Sequence, residues 1–191
     1  MSGAVARLIA TPSSSIIRHG LALIAGVLVM TLCAKVQIPF WPVPMTLHTL
    51  AVMGFAVLLG PRTAGSIMLA YLAAGAAGLP VFSGAPERGI GLAYLAGPTG
   101  GYLLGYLLAI PLVGRLAAGR RMVGQLGAML AGLVPIYGLG LAWLALFVPA
   151  DRLVAMGVLP FLAGDLVKIG MVAAGAALLP ARLRETREPR A

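Results

Sequence analysis

Six long apolar stretches, separated by short polar or glycine- and proline-rich breaks, make up most of the chain. Their lengths and apolar character predict helices, since strands are shorter. The predicted helices cover 16–34, 46–60, 63–78, 99–118, 122–148 and 156–179. The breaks, such as Gly60-Pro61-Arg62 and Gly119-Arg120-Arg121, carry residues that commonly end helices. The pattern therefore predicts an all-α bundle of six helices.

Composition decides between a soluble bundle and a membrane bundle. Hydrophobic residues make up 60% of the chain and charged residues 10%, whereas soluble domains have about 25% charged residues. A membrane-spanning helix takes about 20 residues, so the 191 residues accommodate about six such helices and little else. We expect one transmembrane domain over 1–191, with a short N-terminal segment (1–15), a basic tail (180–191) and no soluble catalytic domain.

Basic residues are distributed unevenly between the two sides of the predicted bundle. If the N-terminus faces the cytoplasm, ten of the fourteen basic residues lie in inner segments, and Lys35, Arg88 and Arg152 lie in outer ones. This positive-inside bias predicts a multi-pass protein of the bacterial cytoplasmic membrane with both termini in the cytoplasm. It also accounts for the net charge of +9 without a nucleic-acid partner, because basic tails contact lipid headgroups.

Two charged residues, Asp165 and Lys168, lie inside the last apolar stretch. Their spacing of three positions places both side chains on one helical face. A charge at bilayer depth costs about 2.5–3.5 kcal/mol on insertion scales and usually marks a functional site. We interpret the pair as the polar floor of a ligand pocket. The alternative is a purely structural ion pair, but such a pair contributes only a few tenths of a kcal/mol, too little to offset the burial of two charges.

Two outer loops have unusual sequences. The loop 35–46 contains three prolines together with Phe40 and Trp41; it is expected to be stiff and extended, and it suits either an interfacial anchor or a lid. The loop 78–102 is long and apolar, and long loops are commonly functional. It ends in Gly97–Gly101, either a helix N-terminus that favours an anion or a tight turn capped by Thr99.

Signals for enzymatic chemistry are weak. His19 and His48 are the only histidines, and Cys33 is the only cysteine, which excludes an internal disulfide and a multi-cysteine metal site. No nucleophile–base pair is visible, and no phosphate-binding GxxxxGK[ST] loop is present. We therefore expect neither an enzyme nor a bound cofactor or metal. His48 is expected either to hydrogen-bond within the bundle or to line a pocket.

The chain resembles the BioY family, the biotin-binding subunits of energy-coupling-factor transporters. The resemblance rests on a series of short motifs in order along the chain, none of them specific alone: Ile38-Pro39 with Pro42–Thr46, Leu59–Arg62, Tyr71-Leu72, Gly78–Phe82, Gly97–Leu103, Leu159–Phe161 and Gly164–Lys168. Two positions depart from the pattern, since His48 stands where glutamine is expected and Ala163 where proline is expected.

This resemblance implies a six-helix substrate-binding subunit with an outward pocket for biotin. Asp165 would accept from the ureido N–H groups, and Lys168 would donate to the ureido carbonyl or to the tail carboxylate, for which Arg88 is a second candidate. The bicyclic ring would rest on apolar and aromatic surface. The candidates for that surface are Trp41, Phe82, Tyr94 and Tyr102.

The resemblance also implies partners. These are a transmembrane coupling protein and a pair of ATPases, while some members of the family are thought to act without a dedicated coupling module, as homo-oligomers. Ala22 and Gly26 on the first helix form a close-approach pair that the resemblance identifies as the docking face. The alternatives are a subunit for another small vitamin or, in a different class, an intramembrane enzyme or a scaffold subunit.

Overall fold

Helices dominate the computed structural model, which describes residues 12–84 and 89–178. The elements, in chain order, are α1 (Pro12–Lys35), strands β1 (Gln37–Ile38) and β2 (Met45–Thr46), α2 (His48–Ala76), α3 (Leu92–Ala96), α4 (Gly100–Ala117), α5 (Met122–Leu144), a 3₁₀ turn (Ala150–Arg152), α6 (Leu153–Gly157) and α7 (Leu159–Leu178). The all-α class is confirmed. Arg88, most of segment 1–15 and the basic tail 180–191 lie outside the described residues.

Helix α2 consists of two antiparallel helices joined at Gly60. Gly60 has a φ of 79°, a conformation that favours glycine, and Pro61 follows it. The first residue of α2, His48, lies 2.8 Å from the hydroxyl of Tyr71. A straight helix would separate these residues by about 34 Å at 1.5 Å per residue. The halves 48–59 and 61–76 therefore pack side by side and correspond to the second and third predicted helices.

Four helical segments are long and apolar enough to cross a membrane. They are α4, α5, the combined segment Ala150–Leu178 and α2, whose length is divided between its two antiparallel halves. The segment His19–Lys35 forms a shorter apolar helix. With α2 counted as a hairpin of two helices, the six-helix bundle expected from the sequence is confirmed among the described residues. The last predicted helix is interrupted at Val158, between α6 and α7. Pro160 lies in the first turn of α7, where the missing backbone N–H of proline has no helical partner to lose.

Helices α4 and α5 approach each other closely through glycines. A side-chain carbon added to Gly105 would lie 2.6 Å from the Cα of Ile136 and 2.8 Å from the carbonyl oxygen of Pro135. Gly140 on α5 lies against the ring of Tyr102 on α4 in the same way. Small residues let helix backbones pack at short range in membranes, so these glycines set the position of Tyr102 in the bundle.

Helix α1 packs against the bundle through Gly26, Met30 and Ala34, which are buried. A side-chain carbon on Gly26 would overlap the side chain of Ile67. Ala22, by contrast, is exposed. The two small residues that the sequence suggested as one docking pair thus have different surroundings, because Gly26 is used for packing inside the bundle.

The chain between α1 and α2 forms a short β-hairpin rather than the single stiff, extended stretch that its prolines suggested. Gln37 pairs with Thr46 and Ile38 pairs with Met45, and the Trp41–Pro42 peptide is cis. We call this end of the bundle, formed by residues 36–47, 77–84 and 89–99, the loop end. At the opposite end, a side-chain carbon on Gly114 would meet Pro61, so the turn of α2 packs against the last turn of α4.

We predict that Gly105→Ala destabilises the folded protein by about 1–3 kcal/mol, the range for overpacking a well-packed core. The added methyl group would meet the backbone of α5, which cannot move aside as a flexible side chain can. Thermal unfolding in detergent measures the effect. The matched control is Gly127→Ala on α5, where no atom lies within 4 Å of the added carbon. Equal melting temperatures for Gly105→Ala and the parent would contradict the prediction.

Candidate functional site

A partly open cavity lies at the loop end, and the space between its walls, open solvent included, is about 450 Å³. Four helices contribute to its wall: the start of α2 and one face each of α4, α5 and α7. Two loops complete it, the β1–β2 hairpin and the loop between α2 and α4, which contributes Ser83 and Thr99. The lining residues are Val43, Pro44, Thr46, His48, Thr49, Ser83, Thr99, Tyr102, Tyr106, Ile136, Tyr137, Phe161, Asp165 and Lys168. Elements far apart in the sequence, between Val43 and Lys168, therefore build one site.

The charged pair Asp165–Lys168 forms the floor of this cavity. The Lys168 ammonium donates to Asp165 Oδ1 at 2.9 Å, and only 4% of Asp165 and 7% of Lys168 are exposed. Asp165 is six residues into α7, about 9 Å from the start of the helix at 1.5 Å per residue. The pair thus lies below the loops, where each charge needs an internal partner.

The second carboxylate oxygen of Asp165 is also bonded. The hydroxyl of Tyr137, on α5, donates to Asp165 Oδ2 at 2.9 Å. Hydrogen bonds to both oxygens restrict rotation of the carboxylate and hold it toward the cavity. Each oxygen has a further lone pair, so the carboxylate can accept from a ligand without losing these partners.

His48 takes part in a chain of hydrogen bonds. Its Nδ1 lies 2.9 Å from the Thr46 hydroxyl and its Nε2 lies 2.8 Å from the Tyr71 hydroxyl. The single Tyr71 hydroxyl proton is donated to the carbonyl oxygen of Val81 at 3.1 Å. Nε2 of His48 must therefore be the donor to Tyr71, and Nδ1 accepts from Thr46. This pattern defines a neutral imidazole with its proton on Nε2.

Aromatic side chains form the upper wall. Tyr102 donates to the carbonyl oxygen of Gly157 at 2.8 Å, which leaves its ring as cavity surface, and Phe161 packs against that ring at 6.3 Å between centroids. The hydroxyl of Tyr106 lies 3.2 Å from that of Thr49. These contacts give the cavity flat apolar faces above a charged floor, together with hydroxyl groups that can donate or accept.

The structure brings together four of the eight candidate binding residues. Asp165, Lys168, His48 and Tyr102 line the cavity. Phe82 and Tyr94 are buried just behind it; their rings stack at 4.7 Å, and Tyr94 bonds Ser83, which does line the cavity. Trp41 is 73% exposed and is not among the lining residues. Arg88 lies outside the described residues.

The polar residues that sequence reasoning missed are mainly tyrosines within apolar helices. Tyr106 could have been found, because it lies one helical turn after Tyr102 and shares its face. Tyr137 carried no comparable signal, since its contact with Asp165 depends on how α5 packs against α7. Thr99 stands at the N-cap position of α4 but makes no side-chain capping bond; instead it lines the cavity. No cluster of three or more potential metal ligands occurs within 12–84 and 89–178.

The site places a hydrogen-bond acceptor and a hydrogen-bond donor side by side below an apolar chamber. The Asp165 carboxylate accepts, the Lys168 ammonium donates, and the hydroxyls of Thr49 and Tyr106 do either. The paired charges sum to zero, so the floor suits a neutral polar group that carries both donors and acceptors. Such a ligand would satisfy the buried groups that are costly when unpaired.

Comparison with known proteins identifies close sequence relatives. The chain is 37% identical over 151 residues to "Probable biotin transporter BioY" of Pyrococcus horikoshii, covering 79% of this chain and 86% of that protein. It is 38% identical over 154 residues to "Biotin transporter BioY" of Thermotoga maritima, covering 80% and 87%. It is also 35% identical over 180 residues to "Biotin transporter BioY" of Rhizobium etli, covering 84% and 95%.

The fold matches a solved structure as well. The crystal structure of the S-component for biotin from an ECF-type ABC transporter superposes with a TM-score of 0.73 at 23% sequence identity, covering 94% of this chain and 96% of that one. Residues 8–185 match the BioY family. This match spans the helices that build the cavity, and the chain therefore belongs to the BioY family.

Proposed function

We propose that this chain is the membrane subunit that binds biotin for uptake, with energy supplied by a separate coupling protein and a pair of ATPases. The observation that carries the proposal is the buried Asp165–Lys168 pair on the floor of a cavity in a chain of the BioY family. Relatives named as biotin transporters support the choice of ligand.

The chemistry of biotin suits the cavity. Its ureido group has two N–H donors and one carbonyl acceptor, so Asp165 accepts from an N–H while Lys168 donates to the carbonyl oxygen. Tyr137 keeps the carboxylate oriented during this contact. The bicyclic ring rests against Tyr102 and Phe161, which present apolar faces above the pair.

The biotin carboxylate is best held away from the floor. Lys168 already has Asp165 as a counter-ion at 2.9 Å, and a second carboxylate beside the pair would give the buried floor a net negative charge. We propose that the tail points away from the pair, and Arg88, which lies outside the described residues, is its candidate partner from the sequence.

The orientation of the bundle is proposed from the positions of its basic residues. The turn of α2 with Arg62 and the end of α4 with Arg115 meet at the end opposite the cavity, as the Pro61–Gly114 contact shows. Lys35 lies at the loop end, where it donates to the carbonyl oxygen of Phe82. By the positive-inside rule, the cavity end faces outward and both termini face the cytoplasm. Exposed apolar side chains on α1 and α7 contact lipid.

The partner is proposed to dock on the outward face of α1 around Ala22. This residue is exposed, and its neighbour Leu21 is 60% exposed. The helix surface there is apolar, and the small side chain of Ala22 allows a partner helix to approach closely. Gly26 is removed from the proposed docking face because it packs on Ile67. The proposed docking face therefore includes Ala22 but not Gly26.

Isothermal titration calorimetry on the detergent-solubilised chain, freed of any bound biotin, tests the proposed function. We expect saturable biotin binding, with biotin recovered unchanged. A subunit for another vitamin would bind that vitamin instead, an enzyme would convert the ligand, and a scaffold would show no heat. Any of those three results with folded protein would overturn the proposal.

Asp165→Asn and Lys168→Ala are each expected to weaken biotin binding by about 2–5 kcal/mol, as for the loss of a buried charged contact. The matched controls are Leu166→Ala and Val167→Ala, which alter the intervening residues on the exposed face of α7 and are expected to bind like the parent. If the two charge variants fold and keep the parent affinity, the pair is not the biotin site.

A stability measurement separates ligand binding from a structural role of the pair. Lys168→Met leaves the Asp165 charge without its counter-ion, and we expect a loss of about 3–5 kcal/mol in the free energy of unfolding. The double variant Asp165→Asn/Lys168→Met removes both charges and is expected to recover most of that stability while still failing to bind biotin. Parent-like biotin affinity in the double variant would show that the pair serves only to stabilise the bundle.

Ala22→Leu is expected to reduce cellular uptake of labelled biotin while leaving biotin affinity unchanged, because it alters the outer surface of α1 and not the cavity. The matched control is Ala174→Leu, which enlarges an exposed small residue on α7. Equal uptake by the Ala22→Leu variant and the parent, in cells that contain the coupling proteins, would rule out this docking face.

A further inference from the structure

Three consecutive residues at the root of the second outer loop are each held by a side chain from a different part of the bundle. Tyr71 donates to the carbonyl oxygen of Val81 at 3.1 Å, Lys35 donates to that of Phe82 at 2.8 Å, and the hydroxyls of Ser83 and Tyr94 lie 2.6 Å apart. Val81, Phe82 and Ser83 are buried, and Ser83 lines the cavity. The segment 81–83 is therefore a fixed part of the cavity wall.

The first of these three bonds is the end of a longer chain. The Thr46 hydroxyl donates to His48 Nδ1, His48 Nε2–H donates to Tyr71, and Tyr71 donates to Val81. This chain begins in the β-hairpin and ends in the second outer loop. Thr46 and His48, at the start of the chain, line the cavity, and so does Ser83, two residues after Val81 at its end.

We propose that His48 is a positioning residue for ligand binding: as a neutral imidazole it joins the two outer loops through Tyr71 and thereby holds Ser83 in the cavity wall. The proposal rests on the proposed biotin-binding function for its affinity readout. Its structural part, the attachment of segment 81–83 by His48 and Tyr71, is independent of which ligand binds.

The roles of the two ring nitrogens make this attachment sensitive to protonation. An imidazolium has N–H donors at both positions, so Nδ1 can no longer accept from Thr46. The added charge would also lie in a cavity that already holds the Lys168 ammonium. The other titratable groups around the ring are Tyr71 on the second half of α2, Tyr106 on α4 and Asp165 on α7. Proton uptake would force the Thr46 hydroxyl to turn and accept from Nδ1 and would place a positive charge near Lys168, so ligand affinity is expected to fall at acidic pH.

Three variants test the chain of bonds. His48→Gln keeps one acceptor and one donor but does not titrate, His48→Leu has neither, and Tyr71→Phe removes the hydroxyl that reaches Val81. Hydrogen exchange of residues 79–84 without ligand is expected to be faster by roughly tenfold in His48→Leu and Tyr71→Phe, as for the loss of a buried hydrogen-bond partner. His48→Gln is expected to exchange like the parent. The control is Thr31→Val, which removes a side-chain bond to Val27 within α1.

Biotin titrations at pH 7.5 and pH 4.0 provide the second readout. At pH 7.5 we expect His48→Leu and Tyr71→Phe to bind roughly tenfold more weakly than the parent, and His48→Gln to bind within about threefold of it. Between pH 7.5 and pH 4.0 the parent is expected to lose about twofold more affinity than His48→Gln, because burial and the nearby Lys168 delay protonation of the ring to acidic pH. Protonation of biotin itself affects both proteins equally and cancels in the comparison.

Three results would overturn the proposal. Parent-like exchange of 79–84 in Tyr71→Phe would show that the hydroxyl does not hold the segment. If residues 79–84 exchange as fast in His48→Gln as in His48→Leu, the hydrogen bonds of the His48 side chain do not hold the segment. Equal pH profiles for His48→Gln and the parent would remove the role of the neutral imidazole. If the parent binds no biotin, the proposed function fails, and the exchange experiment still decides whether the attachment exists.

Discussion

The requirement that buried charges find partners inside an apolar bundle governs the arrangement around the cavity. Asp165 and Lys168 satisfy one another at 2.9 Å, but a carboxylate has two oxygens, and the second needs a donor from another helix. Tyr137 supplies it and thereby links α5 to α7. The ion pair on α7 thus constrains how α5 packs beside it, because the buried carboxylate needs a second donor and Tyr137 of α5 provides it.

Close glycine packing has the complementary role of setting the apolar walls. Gly105 admits the backbone of α5, and Gly140 admits the ring of Tyr102. The short distance between α4 and α5 brings Tyr102, Tyr106 and Tyr137 to one region from two different helices. The polar floor and the aromatic wall therefore depend on each other: the glycines position the tyrosines, and one of these tyrosines completes the bonding of Asp165.

The sequence predicted those features of the fold and of the site that depend on local residue patterns or on average composition. Helix number follows from apolar length, and the pocket floor follows from two charges at a spacing of three within an apolar stretch. The misses concern pairing between distant segments. Nothing in the sequence near Tyr137 indicates Asp165, and the strands of the 36–47 hairpin are too short to show a period. Gly26 and Ala22 have the spacing of a packing pair, yet spacing alone does not show that Gly26 meets Ile67 while Ala22 remains exposed.

The reversal of the chain at Gly60 determines which residues of α2 meet at each end of the bundle. By folding α2 back on itself, it places His48 beside Tyr71, so a single helix hairpin carries residues bonded to both outer loops. The same reversal puts Pro61 against Gly114 at the opposite end. A straight helix over 48–76 would separate these contacts by the length of the bundle, and neither loop root would share a partner with the other. One glycine conformation, with φ of 79°, is therefore a precondition for the way the loop end encloses the cavity.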